Sequence, residues 1–371
     1  MHELFSTGYP QPGKRLRSYS EQVDSLDVAL VAALQQAPRA PINALSAALE
    51  ISASTVSRRL ARLFDDRLLR ITASISWSLR STGHPTILWV QTAPDSTRQA
   101  ASRIAELPQA QSVYIVSGET DLHCLLHPRA GGDISELVLD VIPAIPGVER
   151  IASNRILATS ARSGDWKAPG VLTAAQVAFL EGEAIAATAE RDRSETDQAG
   201  VPSSSRTELR RTELRIADLL VGNGRITVMQ AAEALDVTRA TAARALETVL
   251  ASGLVRPRVD VEPELLGFPV EVFAQIRCTP SATMRLVAEL GAHPNVRFAA
   301  MTAGIASLVV QANMKGDTEL YTFVTEGLGR ATGITDVSLS TNLATVKHNW
   351  NIVDGSRLFP MAGLPALSDE A

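Results

Sequence analysis

The chain repeats itself at a fixed distance. The run Ile51-Ser52-Ala53-Ser54-Thr55-Val56-Ser57-Arg58-Arg59-Leu60 returns 186 positions later as Val237-Thr238-Arg239-Ala240-Thr241-Ala242-Ala243-Arg244-Ala245-Leu246. The same offset carries Leu34 to Leu220, Arg39 to Arg225, Leu49 to Leu235, Leu68 to Leu254 and Arg70 to Arg256. It also carries Gly118 to Gly304 and Gly147 to Gly333, well outside the first run. An offset held over more than 100 residues exceeds a solenoid period and marks duplication of a whole two-domain unit. A length of 371 residues leaves room for two to four domains with substantial cores.

In the first copy, Leu26, Leu30, Val31 and Leu34 recur at helical spacing and predict an amphipathic helix over 26–36, broken by Pro38 and Pro41. A second short helix is expected over 42–49, with Ile42, Leu45 and Leu49 inward. After a turn at Glu50-Ile51, Ser52 is the expected N-cap of a third helix, with Val56, Leu60 and Leu63 as its buried stripe. That assignment leaves Ser54, Thr55, Ser57, Arg58, Arg59 and Arg62 for solvent or a partner. Three short helices with a tight turn before a basic third one form a helix-turn-helix pattern, in which the last helix enters the DNA major groove. Small hydroxyl residues allow close approach to bases, and arginines anchor on phosphates. The bland alternative is a solvated basic helix. Against it, the second copy keeps a capping hydroxyl and a basic face in Thr238, Arg239, Thr241 and Arg244.

Past the helices the period changes. Ile71, Ala73, Ile75 and Trp77 alternate as a strand or hairpin. Strands are then expected at 86–92, 111–117, 120–127 and 148–157, with helices at 96–107 and, opened by Asp133, at 133–143. This β-α-β-β-α-β order is the ferredoxin-like arrangement. Between its middle strands lies Ser117-Gly118-Glu119-Thr120-Asp121, a turn in which glycine can take positive φ. A helix capped by Thr173, with Val177, Leu180 and Ile185 inward, is expected over 172–187. A polar, flexible linker is expected over 188–206.

The combination resembles the Lrp/AsnC family of transcription regulators. Leu26-Asp27 matches the family's Leu-Asp at the first helix, and Leu45 through Arg59 matches its turn and recognition helix. Gly118-x-x-Asp121 matches the Gly-x-x-Asp element of its effector domain, and Pro146-Gly147-Val148 matches the run before its last strand. The likeness is strong over about 26–159 and weaker over about 212–346. It implies paired α/β domains that bind small effectors, usually amino acids, near the Gly-x-x-Asp turn. Gly118 and Asp121 thereby become effector-site candidates, Asp121 either receiving an ammonium group or only capping its own turn. The second copy departs from the pattern, since Gly304 is followed by Ser307 in place of the Asp. A Gly common in the family before the recognition helix is Glu50 here and Asp236 in the repeat. Arg59 and Arg62 are replaced by Ala245 and Thr248, so the first half is expected to dominate DNA binding.

The expected fold is α+β: two copies of a winged-type helix-turn-helix domain, each followed by a ferredoxin-like βαββαβ effector domain. Boundaries are expected at 1–24 (arm), 25–79, 80–160, 161–210 (helix and linker), 211–262, 263–347 and 348–371 (tail, with no element assigned). Double-stranded DNA, a small effector and self-association into a dimer or higher oligomer are the expected partners. No apolar run approaches the ~20 residues of a membrane span, and Lys14, Arg15 and Arg17 are not followed by an apolar signal core. A cytoplasmic regulator is therefore expected. Cys124 and Cys278 stand alone, so neither a disulfide framework nor a metal site is expected, and no cofactor.

Two competing readings belong to other classes. Siroheme decarboxylases resemble the same architecture, and His123 and His127 lie on one face of a strand beside Cys124. A single strand presents only two such ligands, however, and no third convergent histidine is evident, so solvent-facing or hydrogen-bonded histidines are expected. The third reading is an assembly module whose helix-turn-helices no longer read DNA.

Overall fold

The computed structural model describes residues 23–80, 84–128, 134–186, 209–361 and Leu367. The arm with Lys14, Arg15 and Arg17, the N-cap assigned to Asp133 and the linker over 188–206 lie outside the described residues.

The first unit opens with α1 (Ser25–Gln36), α2 (Ile42–Leu49) and α3 (Ala53–Asp65). Asp24 accepts the backbone N–H groups of Leu26 and Asp27, while the Asp27 carboxylate accepts the Asp24 N–H. This reciprocal cap starts α1. α2 stops at Glu50, held in the left-handed region at φ 55°. Ser52 then caps α3, its Oγ accepting the Thr55 N–H at 3.1 Å. Leu30, Leu34, Leu45, Val56 and Leu63 close the small core, each worth roughly 1.5–3 kcal/mol on burial.

β1 (Arg70–Ile75) follows, and the chain then makes one helical turn, α4 (Trp77–Arg80), where a continuing strand was expected. The α/β part consists of β2 (Thr86–Thr92), α5 (Thr97–Ala105), β3 (Ala110–Val116), β4 (Leu122–Leu126), a π-helical turn at Leu137–Val141 and β5 (Val148–Ala161). α6 (Ala174–Ala186) returns to the first three helices, where Leu180 enters their core. Thr173 caps it as expected, accepting the Gln176 N–H; the Ile185 side chain is not among those described.

The second unit repeats this in register. α7 (Arg211–Gly222), α8 (Val228–Leu235) and α9 (Arg239–Ala251) have the bounds of the first three helices moved by 186. Asp236 ends α8 in the left-handed region at φ 53°, as Glu50 ends α2. β6 (Val255–Asp260), β7 (Val270–Cys278), α10 (Thr283–Gly291), β8 (Val296–Gly304), β9 (Leu308–Met314), α11 (Asp317–Thr322) and β10 (Ile334–His348) complete the copy. The tail adds the hairpin β11 (Asn351–Asp354) and β12 (Arg357–Pro360), turning at Gly355-Ser356. A Gly-Ser pair between two extended runs is a hairpin signal in the sequence.

Both halves show the strand order 2-3-1-4 of a ferredoxin-like sheet: β3-β4-β2-β5 and β8-β9-β7-β10. The two long last strands are shared. β5 pairs with β2 through its first half and with β8 through its second, while β10 pairs with β7 and then with β3. Among the described residues, eight strands therefore close into a ring. Sharing explains why β5 runs to Ala161, past the 157 expected from its own unit. α5 and α10 cover the outer faces of the two sheets, and Ile87, Trp89, Tyr114, Phe273 and Phe298 fill the space between them. β1 pairs antiparallel with β6 from Arg70↔Asp260 to Ile75↔Val255, so the strand after each helical unit joins the opposite copy.

Candidate functional site

The start of α3 carries a hydroxyl cluster. Ser52 Oγ lies 2.9 Å from Ser54 Oγ and 2.8 Å from Thr55 Oγ1, while Ser52, Ser54, Ser57 and Arg58 are exposed. Arg58 has no ion-pair or hydrogen-bond partner among the described residues. The other two arginines depart from expectation. Arg59 Nη1 is 2.8 Å from carboxylate oxygens of both Asp24 and Asp27, and Arg62 pairs with the other oxygen of the buried Asp27. The hydrogen bond to Arg59 holds the Asp24 carboxyl below its ordinary value. Arg59 and Arg62 thus tie α3 to the start of α1 rather than forming a free basic face.

In the second unit Thr238 caps α9 by accepting the Thr241 N–H at 3.2 Å, and the two hydroxyls lie 2.9 Å apart. Thr238, Arg239, Thr241 and Arg244 are all exposed. Arg244 occupies the position of Arg58 under the 186-residue offset. The two helical units are joined directly: Arg39 donates to the carbonyls of Gly224 and Ile226, and Arg225 to those of Pro38 and Ala40.

The glycine turns sit on the seam between the two sheets. Ser117 donates its N–H to Thr341 O at 2.9 Å, and a Cβ on Gly118 would lie 3.0 Å from Ser340 Oγ. The second turn meets β5, where Asn154 Nδ2 donates to Ala306 O at 3.1 Å. Asp121 Oδ2 accepts the Thr92 N–H at 2.8 Å, so its carboxylate ties the turn to the end of β2, a cross-strand contact in place of the local cap. Ser307 Oγ accepts the equivalent N–H, that of Cys278, at 3.4 Å. The exchange of Asp for Ser therefore removes a charge but keeps the internal bond.

The strand histidines correct the expectation in one case. His123 is buried, stacked on Phe273 with ring centroids 4.3 Å apart and edge-on to Trp89 at 4.6 Å. It is neither solvent-facing nor hydrogen-bonded, and burial pushes it down to about 3. His127 does bond, Nε2 lying 2.7 Å from Gln111 Oε1. Cys124 is buried with the sheet's outer core. Among the described residues no group of three His, Cys, Asp or Glu side chains is placed to hold a metal ion, and no helix is long and apolar enough to cross a membrane.

A buried polar chain, not foreseen from the sequence, connects the β1–β6 ribbon to the sheet interior. Asp260 accepts from Thr72 at 2.7 Å, Asn349 at 3.0 Å and Asn351 at 3.2 Å, and pairs with Arg258 at 3.1 Å. Beside it, His348 lies 3.3 Å from Glu262 and contacts Arg297, which is 3.5 Å from Glu271. Gln311 bonds Glu271 at 2.7 Å. These residues are scattered from 72 to 351, so no local pattern announces them.

Fold and site together define a helix-turn-helix protein with paired ligand-binding-type α/β domains. Residues 23–63 match the AsnC-type helix-turn-helix domain, and residues 86–165 and 271–352 match the Lrp/AsnC ligand binding domain. The chain belongs to the Lrp/AsnC family. It is 29% identical over 133 residues to an uncharacterized HTH-type transcriptional regulator of Pyrococcus abyssi, covering 35% of this chain and 89% of the relative. It is 24% identical over 136 residues to the HTH-type transcriptional regulator LrpA of Pyrococcus horikoshii, covering 36% and 96%. Two structures of the siroheme decarboxylase NirDL, one with an iron-uroporphyrin III analogue, overlay on 88% and 93% of this chain and 93% and 96% of theirs. Their TM-scores are 0.56 and 0.57 at 12% and 11% identity, a likeness of fold.

Proposed function

We propose that this chain is a sequence-specific DNA-binding transcription regulator that presents two helix-turn-helix heads on one internally paired scaffold. The observation that carries the reading is the start of α3, where a hydroxyl-capped helix N-terminus is exposed beside Arg58, which has no partner among the described residues. Such an end offers backbone N–H groups and small side chains to phosphates and base edges. Ser52, Ser54, Thr55, Ser57 and Arg58 form the first reading face; Thr238, Arg239, Thr241 and Arg244 form the second. Arg59 and Arg62 support the first face from behind. Two heads on a pseudo-two-fold scaffold suit two half-sites separated by whole helical turns.

An amino acid or similar metabolite bound beside Gly118 and Asp121, or beside Gly304 and Ser307, would meet both sheets because each turn rests on the other unit's last strand. It would change DNA binding only by preferring one arrangement of that seam. Self-association of whole chains is part of the same proposal, read by light scattering with and without ligand. The test of function is DNA selection with purified protein, repeated with a panel of amino acids. Enriched duplexes whose binding drops at least tenfold in Arg58→Ala support the reading; no enrichment at low salt overturns it. Enrichment indifferent to every amino acid removes the sensing half.

The second reading is a tetrapyrrole decarboxylase, favoured by the overlay on NirDL along most of the chain. Against it, His123 is enclosed by aromatic rings and His127 is committed to Gln111. Purified protein that lacks a tetrapyrrole absorbance band and fails to bind added haem would remove it.

A further inference from the structure

The offset of 186 allows the two helical units to be compared position by position. Asp24, the N-cap of α1, corresponds to Arg210, the N-cap of α7; Ser25 corresponds to Arg211. The arginines that Asp24 and Asp27 hold correspond to Ala245 and Thr248. Asp24 has thus become an arginine, Asp27 is kept as Glu213, and the two guanidinium groups that the acids hold are missing from α9. Asp24 sits against the middle of α3 at 2.8 Å from Arg59, and the offset gives Arg210 the equivalent position in the second unit.

Local structure gives no reason for these arginines. The N-terminus of a helix carries partial positive charge, so cations at the cap and first position are disfavoured there. The nearby carboxylate, Glu213, spends one oxygen on the Arg210 backbone N–H at 2.6 Å. Arg210, Arg211, Arg239 and Arg244 are all exposed, and none has a guanidinium partner among the described residues. The wider balance agrees: residues 23–75 hold six arginines against five carboxylates, and the matching 209–261 hold eight against six.

We infer that the second helical unit is the main phosphate anchor of the pair, with Arg210 and Arg211 at the start of α7 flanking Arg239 and Arg244 of α9. The first unit reads base edges through its hydroxyl cluster and Arg58, while its other two recognition-helix arginines serve the fold. This reverses the balance that counting arginines in the recognition helices suggests. It rests on the DNA-binding reading and concerns only how the two heads divide the work.

The test is the salt dependence of binding by the full-length protein, measured on a selected duplex and on a scrambled one. Each lost phosphate contact lowers the slope of log K against log salt by about 0.9. The double variant R210A/R211A is expected to lose about 1.8 in slope on both duplexes, while R210K/R211K keeps most of it. Arg59→Ala is expected to leave the slope unchanged. An unchanged slope in R210A/R211A with normal binding by the native chain overturns this inference alone, as does a slope lost equally in Arg59→Ala. No binding by the native chain overturns the DNA reading as well. Melting temperatures of all variants separate a lost contact from a lost fold.

Discussion

Arg39 and Arg225 hold one another's turns. Each guanidinium forks onto two backbone carbonyls of the opposite copy, Arg39 onto Gly224 and Ile226, Arg225 onto Pro38 and Ala40. Because 39 and 225 are equivalent under the repeat, the contact lies across the pseudo-two-fold axis. It acts directly between the helical units, so the separation of α3 and α9 is set partly here and partly by the β1–β6 ribbon.

Removing both arginines should loosen that separation. Charge-assisted hydrogen bonds are worth roughly 1.5–3 kcal/mol each, so R39A/R225A is expected to unfold at lower denaturant. On DNA it should lose its preference for one half-site spacing. A spacing series in which the variant keeps the native optimum would show that the ribbon alone sets the geometry.

The Asp27 carboxylate is buried and bridges Arg59 and Arg62. Asp27→Asn should cost about 1–3 kcal/mol, because two guanidinium groups lose a charged acceptor. It should also release basic groups onto the α3 face, raising affinity for scrambled DNA and steepening its salt dependence. Stability measured by urea and binding measured at three salt concentrations check the two effects separately.

His123 predicts an acid sensitivity. Its imidazole is held at about 3 in the folded chain against 6.5 when exposed, through burial. As pH falls below about 6.5 the unfolded chain takes up a proton first, so stability is lost progressively towards about 3. At pH 5 this amounts to about 2 kcal/mol. Glu262 and Glu264, pushed up to about 7 by burial, work in the opposite sense, adding stability as pH falls from about 7 towards 4.5. The comparison is therefore His123→Phe against the native chain at each pH. The variant should gain relative stability between pH 7 and 5, and parallel curves would refute the assignment.

Two glycines should respond oppositely to alanine. A Cβ on Gly304 would stand 2.3 Å from Ser153 O and 2.9 Å from Asn154 Cα, both backbone atoms of β5. Gly304→Ala should cost about 1–3 kcal/mol through forced displacement. Gly222, in the last turn of α7, has nothing within 4 Å of its would-be Cβ. Gly222→Ala should stabilise by up to about 1 kcal/mol. Denaturation midpoints of the two variants make the check.

Much of the first helical unit is legible in the chain. The spacing of Leu30, Leu34 and Leu45, the breaks at Pro38 and Pro41 and the hydroxyl at Ser52 act over a few residues, so pattern alone places α1 to α3 closely. The β-α-β-β order is legible for the same reason, since strand alternation is local. The β11–β12 hairpin, in the tail where no element is expected, has only the Gly355-Ser356 pair as its local mark. Strand partnership was out of reach. Nothing between Arg70 and Ile75 states that its partner lies at 255–260 rather than in a neighbouring hairpin.

The sequence by itself determined the repeat, the type and order of most elements and the family motifs, because periodicity and capping are properties of neighbouring residues. Only the tertiary structure decided which charges are spent. Arg58 and Arg59 are adjacent and chemically identical, yet one faces solvent and the other is closed on Asp24 and Asp27, 32 or more positions away. The same holds for Asp121, a ligand candidate by motif, one of whose carboxylate oxygens the folded chain uses to hold the Thr92 N–H. Electrostatic availability depends on what packing brings within a few ångströms, and that distance is not written in the order of the residues.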